Sequence, residues 1–506
     1  MSDKQVAEAL RSSARCVLVE APAGFGKTFQ GAQYAKELLP HLFPGRLLIL
    51  THTNAACDVF AEQARGFGNR VEIRTIDNFI SRIATVYHSA LGLPSEVTIW
   101  ATQQGDDGFN KLAVKVARLL ANTKSIAAVL SVRYPYIICD EHQDSSEAQH
   151  QIILAVHHAG SSIRIFADPM QAIYKKDGNY EAWARRWDAL QTAADEYTEL
   201  DMPHRWRNSA PELGEWIKEV RKILKTGQAI DLRGELPQGL TLIRADNVAP
   251  RHGQYILSSD RRNIIDNFVK VSPKLLVLSS TNDTVDGLRA FFNRRLPIWE
   301  GHTRDALLKL ALSCRENKGT TVSVVDVFID FVQNVACGFS NSAYGNALRQ
   351  EVIERCSFPK RQKRSKIQEI AKHIIEWPDH RGIALALAKL DEFMRNDDGF
   401  SDIKLDLWRE FKEAILLGHY DDINEGLTHL HMRRTLFRAS LPPKAISTVH
   451  KAKGLERESV LIVPCDKEHF GNSDAKRRLL YVALSRATKS LALVVPYSSP
   501  SPLFRV

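Results

Sequence analysis

The 506-residue chain has seven cysteines, and no two of them form a CxxC pair, so the sequence offers neither a zinc-ribbon nor a disulfide framework. They read as reduced, mostly buried thiols. No apolar run approaches the roughly 18 residues that a membrane-spanning helix requires, and the first residues carry no apolar leader segment; a cytoplasmic protein with no membrane partner is the expectation. Tandem repeats and low-complexity tracts are also lacking. What remains is ordinary globular composition, 44% hydrophobic and 25% charged, which argues against extensive disorder.

Single hydrophobic cores stop growing at about 250–300 residues, so at least three folding units are expected. Lys and Arg outnumber Asp and Glu 68 to 59, giving a formal charge of +9. A polyanion is the natural partner of such a surface, although charge alone fits a merely soluble basic protein equally well.

Short β-rich runs recur before glycine-containing or acidic turns: Cys16–Glu20, Leu47–Thr51, Tyr136–Cys139, Ile163–Ala167, Leu275–Ser279 and Ser459–Val463. Helical stretches such as Phe29–Leu39 lie between several of them. Strands alternating with helices predict an α/β fold of parallel sheets, with chemistry at the carboxyl ends of the strands. Ser81–Pro135 and Asp283–Leu441 show periodic apolar spacing without clear strands, and read as helical insertions forming accessory subdomains. The basic run Pro359–Lys366 reads as a solvated loop, with a phosphate-binding patch as the alternative.

Three strand ends carry the chemistry. After Val17–Val19 comes Ala21-Pro22-Ala23-Gly24-Phe25-Gly26-Lys27-Thr28, opening a helix. Backbone N–H groups in such a loop cradle phosphates, Lys27 reaches the β and γ oxygens, and the Thr28 hydroxyl is a Mg²⁺ ligand. Ala21 stands where the strict pattern has glycine. Tyr136-Ile-Ile-Cys-Asp-Glu-His-Gln-Asp144 is an apolar strand running into acids, where Asp140 is suited to hold the metal and Glu141 to orient and deprotonate water. A surface acidic turn is the competing reading. In Ile165–Tyr174, Gln171 is placed to sense a γ-phosphate, and Asp168 to support the metal's surroundings.

Near the far end, Ala445–Glu456 precedes another strand, and Arg477–Ala487 reads as a helix. An arginine delivered from a second domain stabilises the charge that builds up during phosphoryl transfer. Arg486 and Arg205 are the candidates, with Arg207 as substitute for Arg205.

Strung together in this order, these motifs resemble the UvrD/Rep/PcrA branch of superfamily 1 DNA helicases. The resemblance covers roughly residues 1–80, 136–210, 270–283 and 441–498. It implies two RecA-like P-loop NTPase domains: 1A over 1–80 and 136–202, and 2A over 203–283 and 441–506. A small helical insertion 1B would occupy 81–135, and a second, 2B, 284–440. ATP and Mg²⁺ would bind between 1A and 2A, with Gln5 reading adenine, His204 in the place of the tyrosine that usually covers it, and Gly454 and Glu456 at the ribose side. Thr51, His52, Thr53, Asn54, Thr75, Asn78, Tyr174, Thr448 and His450 would face single-stranded or duplex DNA.

Departures from the family pattern accompany the match. His52 replaces a base-stacking aromatic, and Lys176 and Asp177 replace a stacking aromatic and an arginine. Imidazole still stacks, whereas lysine offers no such platform. About twenty residues follow Arg486, which leaves no room for a fused nuclease domain. Compact length and motif style resemble the helicase-like subunit of the Gabija anti-phage system, which implies an OLD-type nuclease partner. The expected activity is a 3′-to-5′ translocase or helicase. The alternatives are a DNA-repair helicase and a DNA-sensing ATPase that licenses a nuclease. A kinase or transporter ATPase has no use for the Thr-x-Thr-Asn and His-x-x-Lys-Gly-Leu-Glu motifs.

Overall fold

Apolar strands buried along their whole length need cover on both faces, which parallel strands obtain from the helices that connect them. A computed structural model describes residues 3–42, 44–52, 54–63, 70–174, 180–248, 256–257, 259–299, 305–316, 320–436 and 441–506. Two compact units result, Met1–Trp299 with Leu441–Val506, and Glu300–Ser440.

Among the described residues, the first unit contains two large parallel sheets. One is built from β1 (Cys16–Glu20), β2 (Leu47–Thr51), β3 (Val71–Thr75), β4 (Tyr136–Cys139), β5 (Ser162–Ala167) and β6 (Glu196–Glu199), in the order β3-β2-β4-β5-β1-β6. Every pairing is parallel, so all six carboxyl ends open on the same edge. The other sheet is built from β7 (Leu240–Arg244), β8 (Leu275–Ser279), β9 (Lys444–Thr448), β10 (Arg457–Ile462) and β11 (Ala487–Val495), in the order β9-β8-β10-β11-β7, again all parallel. These are the parallel α/β layers that the alternating pattern implies, consistent with the two RecA-like domains that the resemblance implies.

The helices of Ser81–Pro135 do not form a globule of their own. Val97, Leu112, Val116, Leu120 and Ile126 share one hydrophobic core with Leu18, Leu48, Ile137 and Ile163 of the first sheet. The segment is therefore a helical layer of that domain. The helix Ile76–Val86 runs through Ser81 without a break, and periodicity reports a buried face without saying what covers it.

The helix Asn282–Phe291 belongs with the second sheet, since Val285, Leu288, Phe291, Phe292 and Leu296 pack with Leu275, Val277 and Ile446. The chain leaves this sheet beyond 283: the Trp299 N–H donates to the Ile446 carbonyl at 2.7 Å, and the Ile446 N–H to the Pro297 carbonyl at 2.9 Å. Glu300–Ser440 is a separate helical unit whose core includes Leu307, Phe328, Val332, Leu387, Leu390 and Phe411, with one two-residue ladder between Ala336–Cys337 and Lys404–Leu405. Among the described residues, no helix is long and apolar enough to cross a membrane.

Candidate nucleotide-binding site

The loop leaving β1 turns on two glycines with left-handed backbones, Gly24 at φ 79° and Gly26 at φ 86°. Gly26 caps the helix Lys27–Leu38. Side chains there would be strained and would also collide: a Cβ on Gly24 would lie 2.8 Å from the Arg205 Cβ, and one on Gly26 3.1 Å from the His204 ring. The N–H groups of this helix start have no intrahelical partner, so the loop is built to receive an anion. Ala21 at the first position donates its N–H to the Ala167 carbonyl at 2.8 Å, stitching the loop to the end of β5.

Lys27 opens the helix and turns its ammonium to the end of β4. There it forms an ion pair with Glu141, with the Asp140 Oδ1 at 3.7 Å. Burial pulls Lys27 below the usual lysine range, and Asp140 works against that fall. Glu141 sits in the left-handed region at φ 52°, a conformation that costs a non-glycine residue energy and is retained where geometry demands it. Thr28 is half-buried beside Lys27.

Asp140 carries the clearest sign of a missing partner. Its Oδ1 is buried and accepts no hydrogen bond, and burial raises the carboxyl above its ordinary value while Lys27 lowers it. A buried carboxylate oxygen without a donor suits a hard cation. Among the described residues, no three His, Cys, Asp or Glu side chains assemble a metal cage. One carboxylate and one hydroxyl, Asp140 and Thr28, match the way Mg²⁺ binds with few protein ligands and otherwise phosphate and water.

The end of β5 is wired into the same place. Gln171 donates from Nε2 to the Asp168 Oδ2 at 2.9 Å, and its Oε1 accepts from the Arg486 Nη2 at 3.4 Å. Arg486 is 2% exposed and is held by the carbonyls of Val482 at 2.9 Å and Leu455 at 3.3 Å. Burial first, and the neighbouring Arg205 second, bring this guanidinium down to about 10. The Arg205 N–H donates to the Gly24 carbonyl at 2.9 Å, its Nη1 donates to the Ser485 carbonyl at 2.6 Å, and its Nη2 pairs with Glu456. Lys27, Asp140, Glu141, Gln171, Arg205 and Arg486 thus converge at the phosphate loop from five segments of the chain. Arg207 is exposed.

Toward the other side of the loop, the His204 ring lies over Gly26 and bonds Asp3, in the same helix as the exposed Gln5. Gly454 sits at φ 83° in the turn after Lys453, two residues before Glu456.

The residues expected to face DNA are dispersed along both sheet edges. Thr51 is fully buried, 3.0 Å from the Cys57 sulfur, and His52 lies 3.0 Å from the Ser145 hydroxyl. Thr75 accepts from the Asn78 N–H at 3.2 Å, so its hydroxyl caps the helix Ile76–Val86, and the Asn78 side chain accepts from Arg74. The Tyr174 hydroxyl donates to the His450 carbonyl at 3.0 Å, and Thr448 accepts from the Lys451 N–H at 3.3 Å. Thr53, Lys176, Asp177 and the Asn54 side chain lie outside the described residues.

Sequence reasoning passed over several residues at the centre of this arrangement. The Lys453 Nζ lies 2.7 Å from both Asp144 oxygens and 2.6 Å from the Gln171 carbonyl, tying the second sheet to the first, and both partners of the ion pair are only 7% exposed. The Tyr481 hydroxyl accepts from the Ala23 N–H at 3.1 Å. Arg221, on the helix Pro211–Lys225, is buried among Glu20, Asp168 and Glu199, with Asp168 at 3.0 Å and Glu199 at 2.7 Å. Burial pushes the Glu20 carboxyl up, but Arg221 and Lys225 outweigh it and the net direction is down. Asp144 and Lys453 lay within the quoted motifs and could have been paired by charge; nothing local marks Arg221.

Comparison with known proteins bears on the same segments. Residues 102–178 match the UvrD/REP helicase N-terminal domain, and residues 444–494 the UvrD-like helicase C-terminal domain. The RecBCD enzyme subunit RecB of Mycolicibacterium smegmatis (strain ATCC 700084 / mc(2)155) is 27% identical over 171 residues, 33% of this chain and 14% of that protein. The chain thus matches only a small part of that relative's length. The N-terminal match runs through the acidic loop and Gln171, the C-terminal match through Lys453 and Arg486, and both are matches to UvrD-like helicase domains.

Proposed function

We propose that this chain is a DNA translocase or helicase that hydrolyses ATP in the cleft between its two sheets and moves 3′ to 5′ along a single strand. The observation that carries the reading is the convergence of one phosphate loop, two acidic strand ends and two arginines from distant segments, with the buried Asp140 Oδ1 lacking a donor.

In this mechanism the loop N–H groups and Lys27 bind the β and γ phosphates, and Lys27 leaves its ion pair with Glu141 to do so. Glu141, released, accepts a proton from water as that water's oxygen bonds to the γ phosphorus and the bond to the β–γ bridging oxygen breaks. Thr28 and Asp140 would hold Mg²⁺, which would neutralise phosphate charge. Arg486 and Arg205 stabilise the charge on the transferring phosphoryl group, and Gln171, bonded to Arg486, senses its presence. Since the backbone carbonyl of Gln171 accepts from Lys453, loss of the γ phosphate is felt by both sheets. Alternate closure and opening then advance the DNA held along the sheet edges. A nuclease partner in anti-phage defence is the narrower proposal, which a pull-down from the native host tests.

ATP hydrolysis by the purified chain, with and without single-stranded DNA, tests the reading. The wild type is expected to be stimulated by DNA, Lys27→Ala to show no turnover, and Glu141→Gln to bind ATP without hydrolysing it. Normal turnover by the glutamine variant would refute the base assignment, and absence of any DNA effect would refute the motor.

A further inference from the structure

Behind the water-activating carboxylate runs a line of side chains that the hydrolysis mechanism does not use. The His52 Nε2 lies 3.0 Å from the Ser145 Oγ, the Ser145 Oγ 3.2 Å from the His142 Nδ1, and the His142 Nε2 2.9 Å from the His150 Nδ1. His52 follows β2, while His142 and Ser145 follow β4, the strand beside it in the sheet. The line therefore crosses from one strand end to the next. His142, Ser145 and His150 are all buried, and His142 is bonded in sequence to Glu141.

The loop they occupy is fixed from its other side. The Trp183 Nε1 donates to the Gln143 carbonyl at 3.0 Å, and the Arg186 Nη2 to the Ser145 carbonyl at 2.7 Å. With the backbone anchored there, the side chains of His142 and Ser145 are the adjustable part. A neutral imidazole has one donor and one acceptor nitrogen, and a hydroxyl has a single proton to give. Ser145 can donate to His52 or to His142, not to both at once. What His52 does with its Nε2 therefore dictates how Ser145 treats His142, and the choice passes on to His150.

We propose that Ser145 and His142 are positioning residues that make the placement of Glu141 depend on whether His52 is engaged by DNA. This rests on the motor reading above, and it gives one route by which a strand bound at the sheet edge speeds hydrolysis at the neighbouring strand end. A base or phosphate that draws the His52 ring away frees the Ser145 proton for His142, which fixes one orientation of the imidazole next in the chain to Glu141.

Steady-state ATP hydrolysis by the full chain, with and without an oligo-dT strand, and binding of the same strand, test the proposal in Ser145→Ala and Ser145→Thr. Ser145→Ala is expected to keep basal turnover and DNA affinity within about twofold of wild type and to lose roughly fivefold of the DNA-stimulated rate, the scale of one hydrogen bond. Ser145→Thr, which retains the hydroxyl, should restore stimulation. Full stimulation of the alanine variant at wild-type DNA affinity would overturn the proposal. So would equal loss in both variants, because the residue would then act through loop shape alone. A wild-type chain whose turnover ignores DNA would overturn the motor reading itself, and this inference with it.

Discussion

The two sheets of the first unit have the same parallel architecture and contribute opposite charges to the candidate nucleotide site. The first ends in anions, with Glu20 closing β1, Asp140 and Glu141 after β4, and Asp168 after β5. The second contributes cations, Lys453 in the turn after β9 and Arg486 just before β11. Neither set suits a bound triphosphate by itself: the acids alone would repel it, and the cations alone would lack the carboxylates suited to hold metal and activate water. Similar folds thus become complementary halves through a few residues at strand ends and connections, and both of these cations already rest on a group of the first sheet's half, Lys453 on Asp144 and Arg486 on Gln171.

The largest test of this division removes the cation nearest the transferring phosphate. Arg486→Ala should lower single-turnover hydrolysis by about 10³–10⁵, the range measured for arginines of this kind, with little change in ATP affinity. Arg205→Ala sharpens the comparison, because Arg205 also holds Glu456 and the Ser485 carbonyl and should weaken nucleotide binding as well. Hydrolysis by Arg486→Ala within tenfold of wild type would place the transition-state role elsewhere.

Next in size comes the ion pair between the halves. Lys453→Met leaves the Asp144 carboxylate buried without its partner, which costs about 3–5 kcal/mol in comparable sites, whereas Asp144→Asn combined with Lys453→Met should recover much of that loss. Urea unfolding of the two single variants and the double variant forms a cycle that measures the coupling. A coupling energy near zero would mean that the contact forms without stabilising the arrangement of the sheets.

How much of this was written locally differs between the halves. The acidic strand ends were legible, because an apolar run broken by Asp-Glu or Asp-Pro announces both the strand and its working end. The phosphate loop was legible for the same reason, its glycines standing where the backbone turns left-handed. Arg221 was not, since an arginine within an amphipathic helix looks like any other until the fold buries it beside Glu20 and Asp168. The line from His52 to His150 was equally hidden, for it joins residues that follow two strands that are neighbours only in space. The Ser81–Pro135 helices illustrate a third case: their apolar faces were visible, but the surface they cover is the first sheet itself.

The smallest expected effect lies at the outer strand of the acidic sheet, where Thr75 carries two readings at once. Its oxygen accepts the Asn78 N–H and so caps a helix, yet a hydroxyl that accepts one bond still has a proton to give to a DNA phosphate. Thr75→Ala should therefore cost about 1 kcal/mol of stability through the lost cap. Thr75→Asp separates the roles, because aspartate caps as well as threonine and its charge favours the helix start, while the same charge repels phosphate. That variant should melt at or above the wild-type temperature and bind single-stranded DNA several-fold more weakly at low salt, with the difference shrinking as salt screens the repulsion. Unchanged DNA affinity would leave Thr75 as a cap alone and move the strand's path away from this end of the sheet.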